Sequence, residues 1–158
     1  MTPAAYLEDP GTYEPLAQVE LIYNSFSFDL GLSVQEIRSM RGNEASIQRF
    51  IKHIDQRFNM VLLTEHLAES LLVMKRQFCW SLDDVVYGAM KVTNDDEKKK
   101  VTGVEALTPK ILDYNFLDAA LYDHFNDKLW KTIAAFDQEA WNEELLELKG
   151  RISSFAKE

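Results

Sequence analysis

The chain has 158 residues, of which 46% are hydrophobic and 27% charged, with a formal net charge of −9. That length suits one domain, able to bury roughly 70% of the surface its unfolded form exposes without disulfides or a structural metal. The acidic balance argues against a sequence-independent grip on nucleic acid but leaves room for a local basic pocket, and a single cysteine, Cys79, excludes an internal disulfide framework.

Residues 1–15 hold three of the four prolines and read as an irregular lead-in. They lack the positive n-region and apolar core of a signal peptide, so the chain taken at face value is soluble. Residues 16–32, LAQVELIYNSFSFDLGL, predict a mixture of a short helix and an extended segment, ending at Asp29-Leu30-Gly31. Ser33 caps a short helix through Met40, with Glu36 completing a capping box. Asn43 is a second cap, after which Ile47, Phe50, Ile51 and Ile54 share one helical face.

Met60-Val61-Leu62-Leu63 is too short for a helix and lacks polar alternation. It therefore reads as a strand buried on both faces, feeding a helix almost at once. The carboxyl end of such a strand is where open α/β sheets place ligands. Glu65 sits there, beside His66. Each has a plainer reading, Glu65 as a first-turn carboxylate favoured by the helix dipole and His66 as a surface residue at a helix start. One strand cannot form a sheet alone. Its neighbours lie in residues 16–30 and 101–106, or in sequence absent here.

The next helix carries Leu67, Leu71, Leu72 and Met74 as its stripe. Cys79, between Phe78 and Trp80, is expected to be a small buried hydrophobe. Ser81 caps another short helix with Asp83 and Asp84 in its first turn. Residues 92–106 read as a solvated loop, with an anion-binding lysine cluster as the minority alternative. Thr108-Pro109 opens a long helical region with Leu112, Phe116, Leu117, Ala120, Leu121, Phe125, Leu129 and Ile133 on one stripe. Asp137 caps a final helix bearing Trp141, Leu145, Leu148 and Ile152. Trp80, Trp130 and Trp141 are expected mostly in the core. The chain contains no Gly-rich phosphate loop, G-x-S-x-G, C-x-x-C or H-E-x-x-H sequence.

Three segments resemble the galactose 3-O-sulfotransferase family, in family order. They are NSFSFDLGL (Asn24 to Leu32, N-x-x-x-FDLG), the stretch from Phe58 to Tyr87 (T-E-x-x-x-E-S-L, then C-W-x-L-D-D-V) and LDYNFLDAALYDHFNDKLW (Leu112 to Trp130, L-D-x-x-L-Y-x-H-F-N). His66 and Ala68 depart from the pattern, where an aromatic and an acid are expected. The resemblance implies an α/β class, the helix-rich part of a P-loop-like sulfotransferase fold with one or a few parallel strands. It implies transfer of sulfonate from the donor PAPS, without a metal, to the 3-hydroxyl of galactose on a glycolipid or glycan. It also implies a lumenal location at the Golgi membrane. Glu65 and His66 are the expected acceptor-side residues. Asp29, through the FDLG match, and His124 with Asn126, through the third segment, are further candidates, against duller turn, packing and capping roles. The family's membrane anchor, donor loop and base precede the represented part. The expectation is therefore a fragment, a truncated gene product or a degenerate homologue, which alone turns over slowly or not at all. The rival reading is a non-catalytic helical binding or scaffolding module.

Overall fold

The computed structural model describes residues 3–13, 18–88 and 104–155, and every regular element among them is helical. The chain runs through α1 (Pro3–Glu8), α2 (Pro10–Tyr13), α3 (Ser25–Asp29), α4 (Val34–Met40), α5 (Glu44–Arg57), α6 (Leu67–Gln77), α7 (Val104–Tyr114), α8 (Phe116–Ala134) and α9 (Gln138–Phe155). Short 3₁₀ turns lie at Val19–Leu21, Thr64–His66 and Asp83–Val85. The helix-rich expectation holds. The described residues contain no strand, so the parallel strands expected of the fold class are not seen in them.

Met60–Leu63 shows why. Leu63 has extended dihedrals, φ −100° and ψ 124°. Its N–H donates to Ser70 Oγ at 3.1 Å, and its carbonyl accepts the His66 N–H at 3.1 Å. Both polar groups are thus satisfied locally, without a ladder partner. Leu63 is buried, but Leu62 is 39% exposed, so the segment is not covered on both faces.

Where a signal was local, the expected element formed. Ser33 and Glu36 make the full capping box at α4. Asn43 Oδ1 accepts the Ser46 N–H at 3.2 Å, and Asp137 Oδ1 accepts the Ala140 N–H at 2.9 Å. The α5 face of Ile47, Phe50, Ile51 and Ile54 is fully buried. Other expectations are corrected. The described part of the lead-in holds two short helices, Pro3–Glu8 and Pro10–Tyr13, because Pro3 and Pro10 each occupy a first helical position, where proline's missing N–H costs nothing. Pro109 lies inside α7 rather than opening it. Of the 92–106 loop, residues 92–103 fall outside the described ones and the rest begin α7. Ser81 does not cap; its N–H and hydroxyl both donate to Asp84 Oδ2, at 2.8 and 2.7 Å. Residues 18–32 are turns and helix without an extended stretch. Leu112 is 52% exposed.

The described residues of Met1–Arg57 and Asn94–Asp123 form one compact unit, and those of Phe58–Thr93 and His124–Glu158 a second. In the first, buried Tyr6, Tyr23, Ile37, Ile51, Tyr114 and Leu117 come from five helices and one turn. Tyr23 and Tyr114 meet edge to face at 4.9 Å, and the Tyr6 and Tyr114 hydroxyls are hydrogen-bonded at 2.7 Å. In the second, α6 packs on α9, burying Leu72, Trp141 and Leu148. Trp80 and Trp130 are 44% and 43% exposed, which corrects the expectation that they are core.

Candidate functional site

The three family-like segments can be followed residue by residue. In the first unit, NSFSFDLGL is locked to the start of α8. Asn24 is fully buried with left-handed dihedrals, φ 48° and ψ 51°. Its Oδ1 accepts the N–H groups of Leu117 and Asp118 at 2.8 and 3.0 Å. Its own N–H donates to Asn115 Oδ1 at 2.7 Å, and Nδ2 to the Tyr114 carbonyl at 3.2 Å. Asp118 answers by accepting the Phe26 and Ser27 N–H groups and the Ser27 hydroxyl at 3.0, 2.9 and 2.6 Å. Two helix starts therefore cap each other, each supplying the acceptor that the other's first turn lacks.

Asp29 is exposed and is the last residue of α3. It precedes a Schellman turn, in which Gly31 has φ +103° and the Leu32 N–H reaches back to the Ser27 carbonyl at 3.2 Å. The FDLG signature is thus accounted for by the helix stop.

In the second unit, Thr64-Glu65-His66 forms the turn between the extended segment and α6. Glu65 is exposed, and its Oε2 accepts the Thr64 hydroxyl at 3.1 Å. The His66 ring stands edge-on to Trp130 at 5.0 Å, and Trp130 Nε1–H donates to Asn126 Oδ1 at 3.1 Å. The second and third family-like segments therefore meet at His66, Trp130 and Asn126. His124 is half-buried, with its ring edge-on to Phe125 at 5.1 Å. Asp29 belongs to the other unit.

The acids of the T-E-x-x-x-E-S-L and C-W-x-L-D-D-V stretches have structural partners. Glu69 pairs with Lys149 at 2.7 Å. Burial pushes its carboxyl up, but the Lys149 bond, a backbone hydrogen bond and the Lys149 and His66 charges together hold it below the usual range. Asp83 pairs with Arg151. Glu144 on α9 takes Lys75 and a two-pronged Arg76, the latter at 3.0 and 2.7 Å. Burial raises the Glu144 carboxyl, yet these two cations bring it below its ordinary value. The Arg76 guanidinium also lies 4.7 Å from the Phe136 ring centre and 5.3 Å from Trp141.

Cys79 is exposed rather than buried. It takes φ +55° as the left-handed residue after α6, while the Trp80 N–H reaches the Lys75 carbonyl at 2.9 Å. Its neighbours Phe78 and Trp80 stack at 5.3 Å.

A cavity of about 760 Å³ opens in the first unit, between α1, α4 and α7. Its lining includes Glu8, Tyr23, Arg38, Arg41, Lys110 and Asp113. The sequence reading missed it. The only hint was the spacing of Arg38 and Arg41 at the end of an otherwise ordinary helix. Among the described residues, no three His, Cys, Asp or Glu side chains gather as a metal site, and no helix is long and apolar enough to cross a membrane.

The galactose-3-O-sulfotransferase family model matches residues 2–157. The chain is 32% identical over 148 residues to galactosylceramide sulfotransferase of Mus musculus, covering 92% of this chain and 34% of that protein. It is 32% identical over 146 residues to galactosylceramide sulfotransferase of Homo sapiens, covering 91% and 33%. It is 32% identical over 127 residues to galactose-3-O-sulfotransferase 3 of Mus musculus, covering 80% and 29%. The chain thus spans about a third of the length of these relatives. No solved structure matches it.

Proposed function

The chain belongs to the galactose-3-O-sulfotransferase family, and from that premise we propose that it serves in transfer of a sulfonate group from PAPS to the 3-hydroxyl of a terminal galactose, on a glycolipid or glycan at the lumenal side of the Golgi membrane. The galactose oxygen attacks sulfur, the bond from sulfur to the departing PAP breaks, and the hydroxyl proton leaves to a base. Such transfers run mainly on positioning and charge stabilisation.

The observation that carries the reading is the meeting of two family-like segments at His66, Trp130 and Asn126. A part-exposed indole beside an imidazole and an amide suits a galactose ring. The indole offers an apolar platform, and His66 and Glu65 offer hydrogen-bonding groups for hydroxyls. Glu65 and His66 are proposed to line the acceptor side, with His124 of the same unit as a further candidate; Asp29, in the other unit and at the end of α3, is left with its turn role. In the longer family domain, the extended Met60–Leu63 segment is proposed to become one of the parallel strands. PAPS is a polyanion. The cavity holding Arg38, Arg41 and Lys110 also holds Glu8 and Asp113, and these carboxylates oppose a polyanion, so no donor role is given to it.

The rival reading, a helical binding module, draws on the structural duties of Asn24, Asp118 and Gly31, which account for the first family-like segment without any chemistry. Saturation-transfer NMR with a simple β-galactoside separates the two. Binding that disappears in His66→Ala and Trp130→Ala supports the acceptor reading. Binding unchanged by both removes these residues, and no galactoside binding favours the module. Sulfonation of the galactoside from PAPS by the 158-residue chain alone would refute the expectation that it turns over slowly or not at all.

A further inference from the structure

We infer that the cavity between α1, α4 and α7 is a binding site for a singly charged sulfate monoester on a sugar, separate from the His66–Trp130 platform. The inference deepens the galactose reading by naming a sulfated galactoside as the ligand, and it rests on that reading only for the sugar half.

The charge balance comes first. Arg38, Arg41 and Lys110 line the cavity together with Glu8 and Asp113, which leaves one net positive charge in a chain whose formal charge is −9. A sulfate monoester carries one negative charge spread over three oxygens. A nucleotide phosphate group carries more, and the two carboxylates repel the excess.

Two of the three cations are held by the carboxylates that line the same cavity. Arg41 Nη1 reaches both Asp113 carboxylate oxygens at 3.1 and 3.2 Å, while Nη2 donates to the Asp113 carbonyl at 2.7 Å. One edge of the guanidinium is thereby fixed to the backbone. The other ion pair, Lys110 with Glu8, spans 3.5 Å. Both pairs lie at the surface, where such interactions are weak and an incoming oxyanion competes for the same donors.

The remaining lining suits a sugar. The Tyr23 ring is buried under the Arg38 guanidinium, 5.8 Å from its centre. Tyr114 braces it from the side. The two rings form a rigid backing behind the Arg38 guanidinium rather than an open face. Glu8 and Asp113, displaced from their cations, accept hydroxyl donors. A volume of about 760 Å³ accommodates a mono- or disaccharide.

Isothermal titration with galactose 3-sulfate tests this, beside galactose, inorganic sulfate and PAP, using the whole chain and its Arg38→Gln and Lys110→Gln variants. Both substituted positions are exposed, and circular dichroism confirms that each variant folds. Saturable binding of galactose 3-sulfate is expected, weakened about tenfold by either substitution and by raised salt, with galactose weaker by a similar factor. The inference is overturned by no saturable binding, by variants that bind as wild type, by inorganic sulfate binding equally well, or by PAP binding more tightly. Loss here with galactoside binding intact at His66 and Trp130 leaves the acceptor reading standing. The converse result leaves this site standing without it.

Discussion

Asn24 and Asp118, 94 residues apart in sequence, cap each other's helices: Asn24 Oδ1 accepts the Asp118 N–H at 3.0 Å, while the Asp118 carboxylate accepts the Phe26 and Ser27 N–H groups. The first and third family-like segments are therefore a single structural joint. A stretch that resembles a family can do so because it builds the scaffold, and here the buried amide accounts for the asparagine without any role in chemistry.

Replacing Asn24 with Ala removes an acceptor used by two backbone N–H groups and a donor to the Tyr114 carbonyl, all in a buried setting. It also places a less tolerant residue at φ 48°. The expected cost is about 3 kcal/mol or more, read as a shift in urea midpoint. Asn24→Gly keeps the dihedral freedom but loses the same bonds, so it should recover only a fraction of that loss. Full recovery by Gly would mean that backbone strain, not hydrogen bonding, is what Asn24 relieves.

Two Schellman turns differ in the residue at their left-handed position. Gly31 has φ +103° and Cys79 φ +55°. Gly31→Ala is expected to destabilise by about 1 kcal/mol, because a Cβ is disfavoured there. Cys79→Gly is expected to stabilise by a few tenths to about 1 kcal/mol, the relieved strain being partly offset by the greater freedom of glycine in the unfolded chain. Thermal unfolding of both variants checks the opposite signs.

What was legible in the sequence was local. Ser33 with Glu36, Asn43, Asp137 and the Ile47–Ile54 face need only residues within a turn or two, and each formed as the spacing predicts. The joint at Asn24 depends on a partner about ninety residues away, and no periodicity reports that. Met60–Leu63 was read as a strand because its apolar run is too short for a helix and lacks polar alternation. What differs is the Ser70 hydroxyl seven residues on, which takes the Leu63 N–H that a ladder would use. Glu65 and His66 were singled out by their place at the end of that segment. The cavity was not found, since Arg41 and Asp113 are 72 residues apart and meet only once α4 and α7 are in place.

Glu144 gives the protein an acid sensitivity with a definite sign. Its folded carboxyl titrates below the ordinary value of 4.5, because Lys75 and Arg76 outweigh the burial that raises it. A depressed folded value means that this contribution is fully present above the unfolded value and is lost as the pH falls through the folded one. Glu144→Gln should therefore lower stability near neutrality by roughly 1–3 kcal/mol, since the site is only partly shielded from water. The gap between wild type and variant should narrow as the pH falls below about 4.5 towards 3. Urea titrations at pH 7 and pH 3 provide the comparison, and a gap that widens at low pH would contradict the ion-pair account.

Trp130 separates scaffold from site. Its ring is 43% exposed, so Trp130→Ala should cost the fold no more than about 1 kcal/mol, unlike a buried tryptophan such as Trp141. Trp130→Phe keeps an aromatic face towards His66 but deletes the Nε1–H bond to Asn126. If the platform holds a galactose ring, Phe should retain most galactoside binding and Ala should lose about tenfold or more. If Trp130 instead serves only to fix His66 and Asn126, Phe and Ala should weaken binding alike. Line-shape titration of a β-galactoside against the three proteins, at matched folded fraction, distinguishes a contact made by the indole face from one made through its neighbours.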